Sequence, residues 1–192
     1  MPKMRATLLG VLILAAAVSG QTIDLGQHAF TSNQGDIVLT IDAALAARRL
    51  DRPYVMFMAY MVVRDGQSFV VPRQGVTMTY KGQEYTMPSL KEWRDSYKGG
   101  QGDATMYGRL GKESLILSHL RNYEFPSDQD FFPVLGRESL PTDRGSMFGI
   151  VGFRTKLYFK NPGFQDGDEL VITVRDKDDP EIYGSCAVIL KK

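Results

Sequence analysis

Residues 53–63 read PYVMFMAYMVV, and they are apolar at nearly every position. A strand with one wet face alternates apolar and polar residues, whereas a strand covered on both faces is apolar throughout. This stretch therefore predicts a central strand that is buried on both faces. A fold that contains such a strand needs further strands beside it and a second layer against it.

The flanking sequence supplies those strands. Upstream, GDIVLTIDAAL (35–45) reads as a strand, and AALAARRL (43–50) reads either as one helical turn or as its continuation. Downstream, KGQ (81–83) is a tight hairpin turn between two short strands. Further strand-like segments are SFVVP (68–72), GVTMTY (75–80), EYTMP (84–88), IVGFRTKLYF (150–159), ELVITVRD (169–176) and GSCAVIL (184–190). The pattern predicts an all-β protein, an antiparallel β-sandwich.

The middle of the chain, about 88–146, has a different character and predicts a small helical insertion. Ser89 and Glu92 have the spacing of a capping box, in which each residue bonds the backbone of the other at a helix start. Trp93 and Tyr97 follow at helical spacing. GQGD (100–103) reads as a loop. A helical turn is expected near 103–110, with either a strand or a helix after it.

Residues 126–146, PSDQDFFPVLGRESLPTDRGS, form a loop rich in proline, glycine and charge. Loops of this length in compact domains are often functional. We take the loop aromatics Phe131 and Phe132, and the helix aromatics Trp93 and Tyr97, as candidate partner-binding residues. Core packing is the alternative for all four, because aromatics at helical spacing usually face inward.

The N-terminus has the pattern of a secretory signal peptide. A basic start, MPKMR, is followed by the apolar run ATLLGVLILAAAV and by small residues around Gly20. The apolar run is too short to span a bilayer. We expect residues 1–20 to be removed, the mature chain to start at Gln21, and residues 21–192 to form one domain. A secreted or periplasmic location follows from this interpretation.

Charge and cysteine content limit the partners. Removing Lys3 and Arg5 with the signal leaves 21 basic residues against 22 acidic ones. Such a balance gives no positive field for nucleic acid. The single cysteine, Cys186, cannot form an internal disulfide. No later apolar run is long enough for a transmembrane span, so we expect the partner to be a protein or an envelope component.

Catalytic signatures are scarce. The chain has two histidines, neither in a metal-ligand spacing, and no phosphate-binding, dinucleotide-binding or nucleophile-elbow motif. Two pairs of acids have the composition of a glycosidase site but also that of ordinary turns: Asp128 with Asp130, and Asp166 with Asp168. We therefore predict a protein that is not an enzyme.

Near the C-terminus, DKDDPE (176–181) brings four carboxylates together after a strand. Calcium binds six to eight oxygens, several of them from carboxylates in a loop. The alternative is a solvent-facing turn whose aspartates accept hydrogen bonds from backbone amides. Local sequence leaves both interpretations open.

Three segments resemble the calcium- and phospholipid-binding C-two family of β-sandwiches. ELVITVRDKDDPEIYGSCAVIL (169–190) resembles the family's last two strands, and TKLYFKNPGF (155–164) resembles the strand before them. IVLTIDAALAARRLDRPYVMF (37–57) resembles its first strand and first ion loop. The resemblance implies a sandwich of C-two-like type, and an immunoglobulin-like sandwich is the alternative form of the predicted fold. It also implies a calcium site that uses Asp51, Asp176 and Asp178.

The sequence thus predicts an exported, non-catalytic β-sandwich with a binding or structural role. A calcium-dependent binding domain that uses residues 176–181 is the first alternative. An unrecognised extracytoplasmic hydrolase is the second.

Overall fold

The computed structural model describes residues 22–64, 67–110, 113–126, 130–133 and 140–192. The expected signal peptide at 1–20 and the expected mature start at Gln21 lie outside these residues. Asp128, one of the candidate paired carboxylates, also lies outside them.

Two five-stranded antiparallel sheets form the body of the molecule. The first sheet contains, in spatial order, β1 (Thr22–Gly26), β2 (Ala29–Ser32), β4 (Ile37–Asp42), β5 (Tyr54–Val63) and β10 (Phe153–Lys160). The second contains β3 (Gln34–Gly35), β12 (Tyr183–Ile189), β11 (Glu169–Arg175), β7 (Val76–Tyr80) and β8 (Gln83–Thr86). This architecture confirms the prediction of an all-β sandwich with a small helical insertion.

The central strand occupies the position that its composition predicts. Strand β5 lies between β4 and β10, and all ten of its residues are buried. Strand β11 alternates instead: Leu170, Ile172 and Val174 are buried, whereas Val171 is partly exposed. The core therefore lies between the sheets, and a further layer covers the other face of β5.

That further layer is helical. It consists of α1 (Ala44–Arg48), α2 (Leu90–Ser96), α3 (Gly100–Leu110) and α4 (Glu113–His119). The capping box is seen at α2, where the Ser89 hydroxyl oxygen accepts from the Glu92 amide at 3.1 Å. The sequence left helix or strand open at 43–50 and after Leu110, and the structure has a helix in both places, α1 and α4. Ile116 and Leu120 are buried at helical spacing.

The prediction of a loop at residues 100–103 is wrong, because these residues form the first turn of α3. The Asp103 amide donates to the Gly99 carbonyl at 3.0 Å. Gly100 serves close packing here, since a Cβ at this position would lie 2.5 Å from the Trp93 ring. Gly100, one of the two glycines that suggested a loop, instead allows the helix to approach the indole.

A two-stranded ribbon completes the fold. It pairs β6 (Ser68–Pro72) with β9 (Arg144–Phe148), and a single 3-10 turn (Arg73–Gly75) connects β6 to β7. The ribbon buries Phe69, Val71 and Met147 on its inner face. No helix in the residues that the structure describes is long and apolar enough to cross a membrane.

Different segments meet at the two ends of the sandwich. Ile37 pairs with Val63, and the Asp36 amide donates to the Tyr183 carbonyl at 2.9 Å, so the start of β12 lies at the Val63 end of β5. At the opposite end, the Asn161 side-chain amide donates to the carbonyls of Leu50 and Arg52 at 2.7 and 2.8 Å. About 30 Å separates the ends, at about 3.3 Å per residue of β5.

Candidate functional site

The loop that joins β11 to β12, residues 176–182, is the acidic loop. Its first carboxylate is fully engaged: Asp176 Oδ1 accepts from the amides of Asp178 and Asp179 at 2.9 and 3.1 Å. Asp176 Oδ2 accepts from the Val70 amide, on β6, at 2.8 Å. Farther along, Asp179 Oδ1 accepts from the Glu181 amide at 3.0 Å. Asp176 and Asp179 therefore cap backbone amides, as the turn interpretation expects.

The backbone of the acidic loop also binds the ribbon. The Lys177 amide donates to the Val70 carbonyl at 2.8 Å, and the Asp176 amide donates to the Ile182 carbonyl at 2.9 Å. Both polar groups of Val70 are thus satisfied by two consecutive loop residues. The loop is thus attached to the outer edge of β6 by one backbone bond and one side-chain bond.

The electrostatics follow from this geometry. Burial raises the pKa of Asp176, but the amides that donate to its carboxylate, those of Val70, Asp178 and Asp179 among them, outweigh burial and lower the pKa overall. Asp178, by contrast, has a side chain that is 82% exposed, 3.8 Å from the Lys177 ammonium. An exposed ion pair of this kind contributes little to stability.

The structure does not bring Asp51 to the acidic loop. Asp51 is exposed just before β5, at the Tyr54 end, whereas Asp176 follows β11 at the Val63 end. The two sites are about 30 Å apart, by the length of β5. Of the three predicted calcium ligands, only Asp176 and Asp178 share a site. The described residues contain no group of three or more His, Cys, Asp or Glu side chains that could hold a metal.

The four aromatic residues predicted to bind a partner are all buried, as their core-packing alternative expects. The Trp93 ring lies 5.3 Å from Phe132 and 5.2 Å from Tyr158, centroid to centroid. Phe131 lies 5.2 Å from Phe153. These contacts attach the helical insertion and the segment 130–133 to β10, and none of the four rings is available at the surface.

Asp103 joins two parts of the helical insertion to the segment that follows α1. Its Oδ1 accepts from Arg49 Nη1 at 2.6 Å, and its Oδ2 accepts from the Tyr97 hydroxyl at 2.6 Å. Burial raises the pKa of Tyr97, and the bond to Asp103 raises it further. With its carboxylate buried and both oxygens occupied, Asp103 fastens α3 to α2 and to the segment after α1.

The other candidate acids also have structural partners. Asp130 is buried and accepts from Lys156 Nζ at 2.7 Å and from the Lys156 amide at 3.1 Å. Asp168 accepts from the Tyr80 hydroxyl at 2.6 Å, and this bond is the main cause that lowers its pKa. Asp166 accepts from the Lys192 amide at 2.6 Å.

Cys186 is buried on β12, and burial raises the pKa of its thiol to about 12. A thiol with such a pKa is almost wholly protonated at neutral pH, and the thiolate is the nucleophilic form. Cys186 therefore behaves as a small core residue.

Sequence reasoning missed an exposed apolar turn, residues 148–150, which we call the tip. Phe148 is 56% exposed and Ile150 is 57% exposed. The Phe148 amide donates to the Val151 carbonyl at 3.0 Å, and the Val151 amide donates to the Phe148 carbonyl at 2.9 Å. Gly149, in the turn between them, has a φ of +55°. The available signal was the phase of β9, in which Gly145 and Met147 are buried, so that Phe148 falls on the solvent side.

Such exposure is rare in this molecule. Among the described residues, the large hydrophobic side chains that are more than half exposed are Leu140, Phe148 and Ile150. The tip lies at the Val63 end of the sandwich, because the Gly149 amide donates to the Gln67 carbonyl, and the Gln67 amide donates to the Arg64 carbonyl.

Comparison of the chain with protein-family models, with curated proteins and with solved structures finds no match in any of the three.

Proposed function

We propose that this chain is an exported, non-catalytic β-sandwich domain that binds another protein or an envelope component through the tip. The observation that carries the proposal is the exposure of Phe148 and Ile150 at a tight turn. Turn positions usually hold small or polar residues. Exposed aromatic and aliphatic side chains grouped in one turn are typical of interaction sites.

The non-catalytic part of the proposal draws support from the state of the carboxylates. Asp103, Asp130 and Asp168 each accept from a cation or a hydroxyl at 2.6–2.7 Å, in contacts that join separate elements. A general acid or base must be within reach of a substrate. These carboxylates already accept hydrogen bonds from side chains of other elements, which is a structural role.

The export part of the proposal rests on the sequence of residues 1–20. Its test is the N-terminal sequence of protein isolated from the producing cells. Cleavage before Gln21 supports export, and an uncleaved start at Met1 contradicts it.

Site-specific photo-crosslinking tests binding at the tip. A photoreactive amino acid replaces Phe148 in the producing cells, and a matched chain carries it at Val171, which is 37% exposed on the second sheet. We expect a discrete adduct from position 148 and none from position 171. Addition of Ile150→Ser to the position-148 chain should weaken the adduct. The proposal fails if position 148 gives no adduct, or if both positions give the same one.

A calcium-dependent binding domain, as the C-two resemblance implies, is the second candidate. The observation that favours it is the grouping of Asp176, Asp178, Asp179 and Glu181 in one loop. Calcium at Asp176 would compete with the Val70 amide for the same oxygen, and Asp51 would take no part. Melting of the protein with calcium and with chelator separates this candidate from the first.

A further inference from the structure

Strand β6 has two edges, and each is held by a different partner. One edge pairs with β9, where Ser68 lies opposite Phe148 and Val70 lies opposite Ser146. In an antiparallel pair, successive residues direct their backbone groups to opposite edges. Val70 directs both of its groups away from β9, to the carboxylate of Asp176 and to the amide of Lys177. The outer edge of β6 is thus held at its middle by the acidic loop.

A single side chain organises this contact. One oxygen of Asp176 accepts from the ribbon, at Val70, and the other accepts from two amides of its own loop. The same carboxylate therefore shapes the loop and attaches it to β6. Pro72, farther along the same edge, has no N–H group to offer a second attachment.

The attachment is connected to the tip through the backbone. Strand β9 ends at Phe148, opposite Ser68, and the Gly149 amide donates to the Gln67 carbonyl. The distance from Val70 to this end of β6 is two residues, about 7 Å. Strand β6 therefore holds the Phe148 side of the turn, while the Glu124 amide, which donates to the Ile150 carbonyl at 2.9 Å, holds the other side.

We propose that the Asp176 carboxylate is a latch, which holds the β6–β9 ribbon and thereby positions the tip. Only the interpretation of the tip as the binding surface rests on the proposed function. Asp176 is a positioning residue in this account. Ordering the ribbon before binding lowers the entropy that a partner must overcome. Release of the latch loosens the tip without removing any residue from it.

The latch is separable from the stability of the sandwich. The ribbon buries its own side chains Phe69, Val71 and Met147 against the core, and this packing keeps it on the molecule when the latch opens. The sheets contain their own hydrogen bonds and do not depend on Val70. Loss of the latch should therefore open the ribbon locally, as a unit of low stability, while the core remains closed.

Amide hydrogen exchange, measured by NMR on the purified chain, tests the latch. In Asp176→Asn the side-chain NH₂ group faces an amide donor, so one of the carboxylate bonds is lost. Hydrogen bonds to a charged group contribute about 1.5–3 kcal/mol, which corresponds to at least about tenfold faster exchange. We expect this acceleration at the amides of Val70 and Phe148, with no change at Ala59 in β5.

Asp178→Asn is the matched control, since it removes the same charge from the same loop at an exposed side chain. It should leave the exchange of the Val70 and Phe148 amides within about twofold of the wild type, because exposed ion pairs contribute little. The inference is overturned if Asp176→Asn leaves these amides unchanged, if Asp178→Asn matches it, or if Ala59 accelerates equally. Should Asp176→Asn fail to fold, Asp176→Glu takes its place, with the same amides and the same criteria.

Crosslinking tests binding at the tip, and amide exchange tests the Asp176 latch. A latch seen by exchange, without an adduct from position 148, removes the proposed function and leaves the latch. An adduct without a change in exchange removes the latch and leaves the binding role.

Discussion

The buried ion pair between Asp130 and Lys156 offers the sharpest test of how the segment 130–133 is held. The two side chains are 12% and 11% exposed, and Nζ lies 2.7 Å from Oδ2. Replacement of Lys156 by Met keeps the apolar stem and removes the charge, which leaves an unpaired carboxylate in a largely buried site. Breaking one partner of such a pair typically costs about 3–5 kcal/mol. The Asp130 carboxylate keeps its bond from the residue-156 amide, so we expect the lower limit, about 3 kcal/mol.

Chemical and thermal unfolding, followed by circular dichroism, measure this cost. A domain of this size loses about 2–4 °C of melting temperature per kcal/mol, so Lys156→Met should melt about 6–12 °C lower. The double variant Asp130→Asn with Lys156→Met removes both charges, and it should recover part of the loss. The reasoning is refuted if the single variant loses less than about 1 kcal/mol, or if the two changes simply add.

Three further predictions concern the acidic loop and the aromatic core. First, hydrogen bonds hold the pKa of Asp176 below its ordinary value. The stability that the ionised Asp176 contributes is therefore complete above about pH 4 and is lost as pH falls through the lowered pKa. The unfolding free energy should fall less from pH 6 to pH 2 in Asp176→Asn than in the wild type, and parallel curves would contradict this. Second, Phe132→Ala should lower the unfolding free energy by about 3–5 kcal/mol in a denaturant titration, since the ring lies 5.1 Å from Tyr158 and 5.3 Å from Trp93. Leu140→Ala, at an 85% exposed position, should change it by less than about 0.5 kcal/mol. Third, millimolar calcium should leave the melting temperature unchanged, because Asp176 is occupied by amides; a rise that disappears in Asp178→Asn would favour the calcium-dependent candidate.

Sequence patterns predicted the strands that lie deep in the core. Strand β5 is apolar at nearly every position and is central, and the hairpin between β7 and β8 turns at Lys81 and Gly82, both with positive φ. These features are local, because burial and turn geometry act on a few consecutive residues.

The first three strands gave no such signal. Strand β1 is an edge strand with mostly exposed residues, and β3 has only two residues. The turn between β1 and β2 places Gln27 and His28 at positive φ, where asparagine or glycine is usual. A pattern search has little to find in such a hairpin, because tertiary pairing with β4 and β12 determines it.

The role of the acidic loop could not be predicted from its own residues. Asp176 accepts from Val70, which lies 106 positions earlier in the chain, so the contact exists only after the sandwich has formed. The separation of Asp51 from Asp176 is likewise a matter of topology. Strands β5 and β11 both run toward the Val63 end, and a residue before one must lie far from a residue after the other.

The same topology explains why the tip and the latch lie together. The ribbon buries its own inner face, with Phe69, Val71 and Met147, and the acidic loop covers one edge, so the outer face and the side chains of the turn are left at the surface. Alternation along β9 gives Phe148 to that free surface, where a polar residue would serve the fold equally well. Neither Phe148 nor Ile150 is therefore needed by the core. Phe148 and Ile150 are therefore the side chains through which the proposed binding would act, and the ribbon that presents them is the element that we propose Asp176 holds in place.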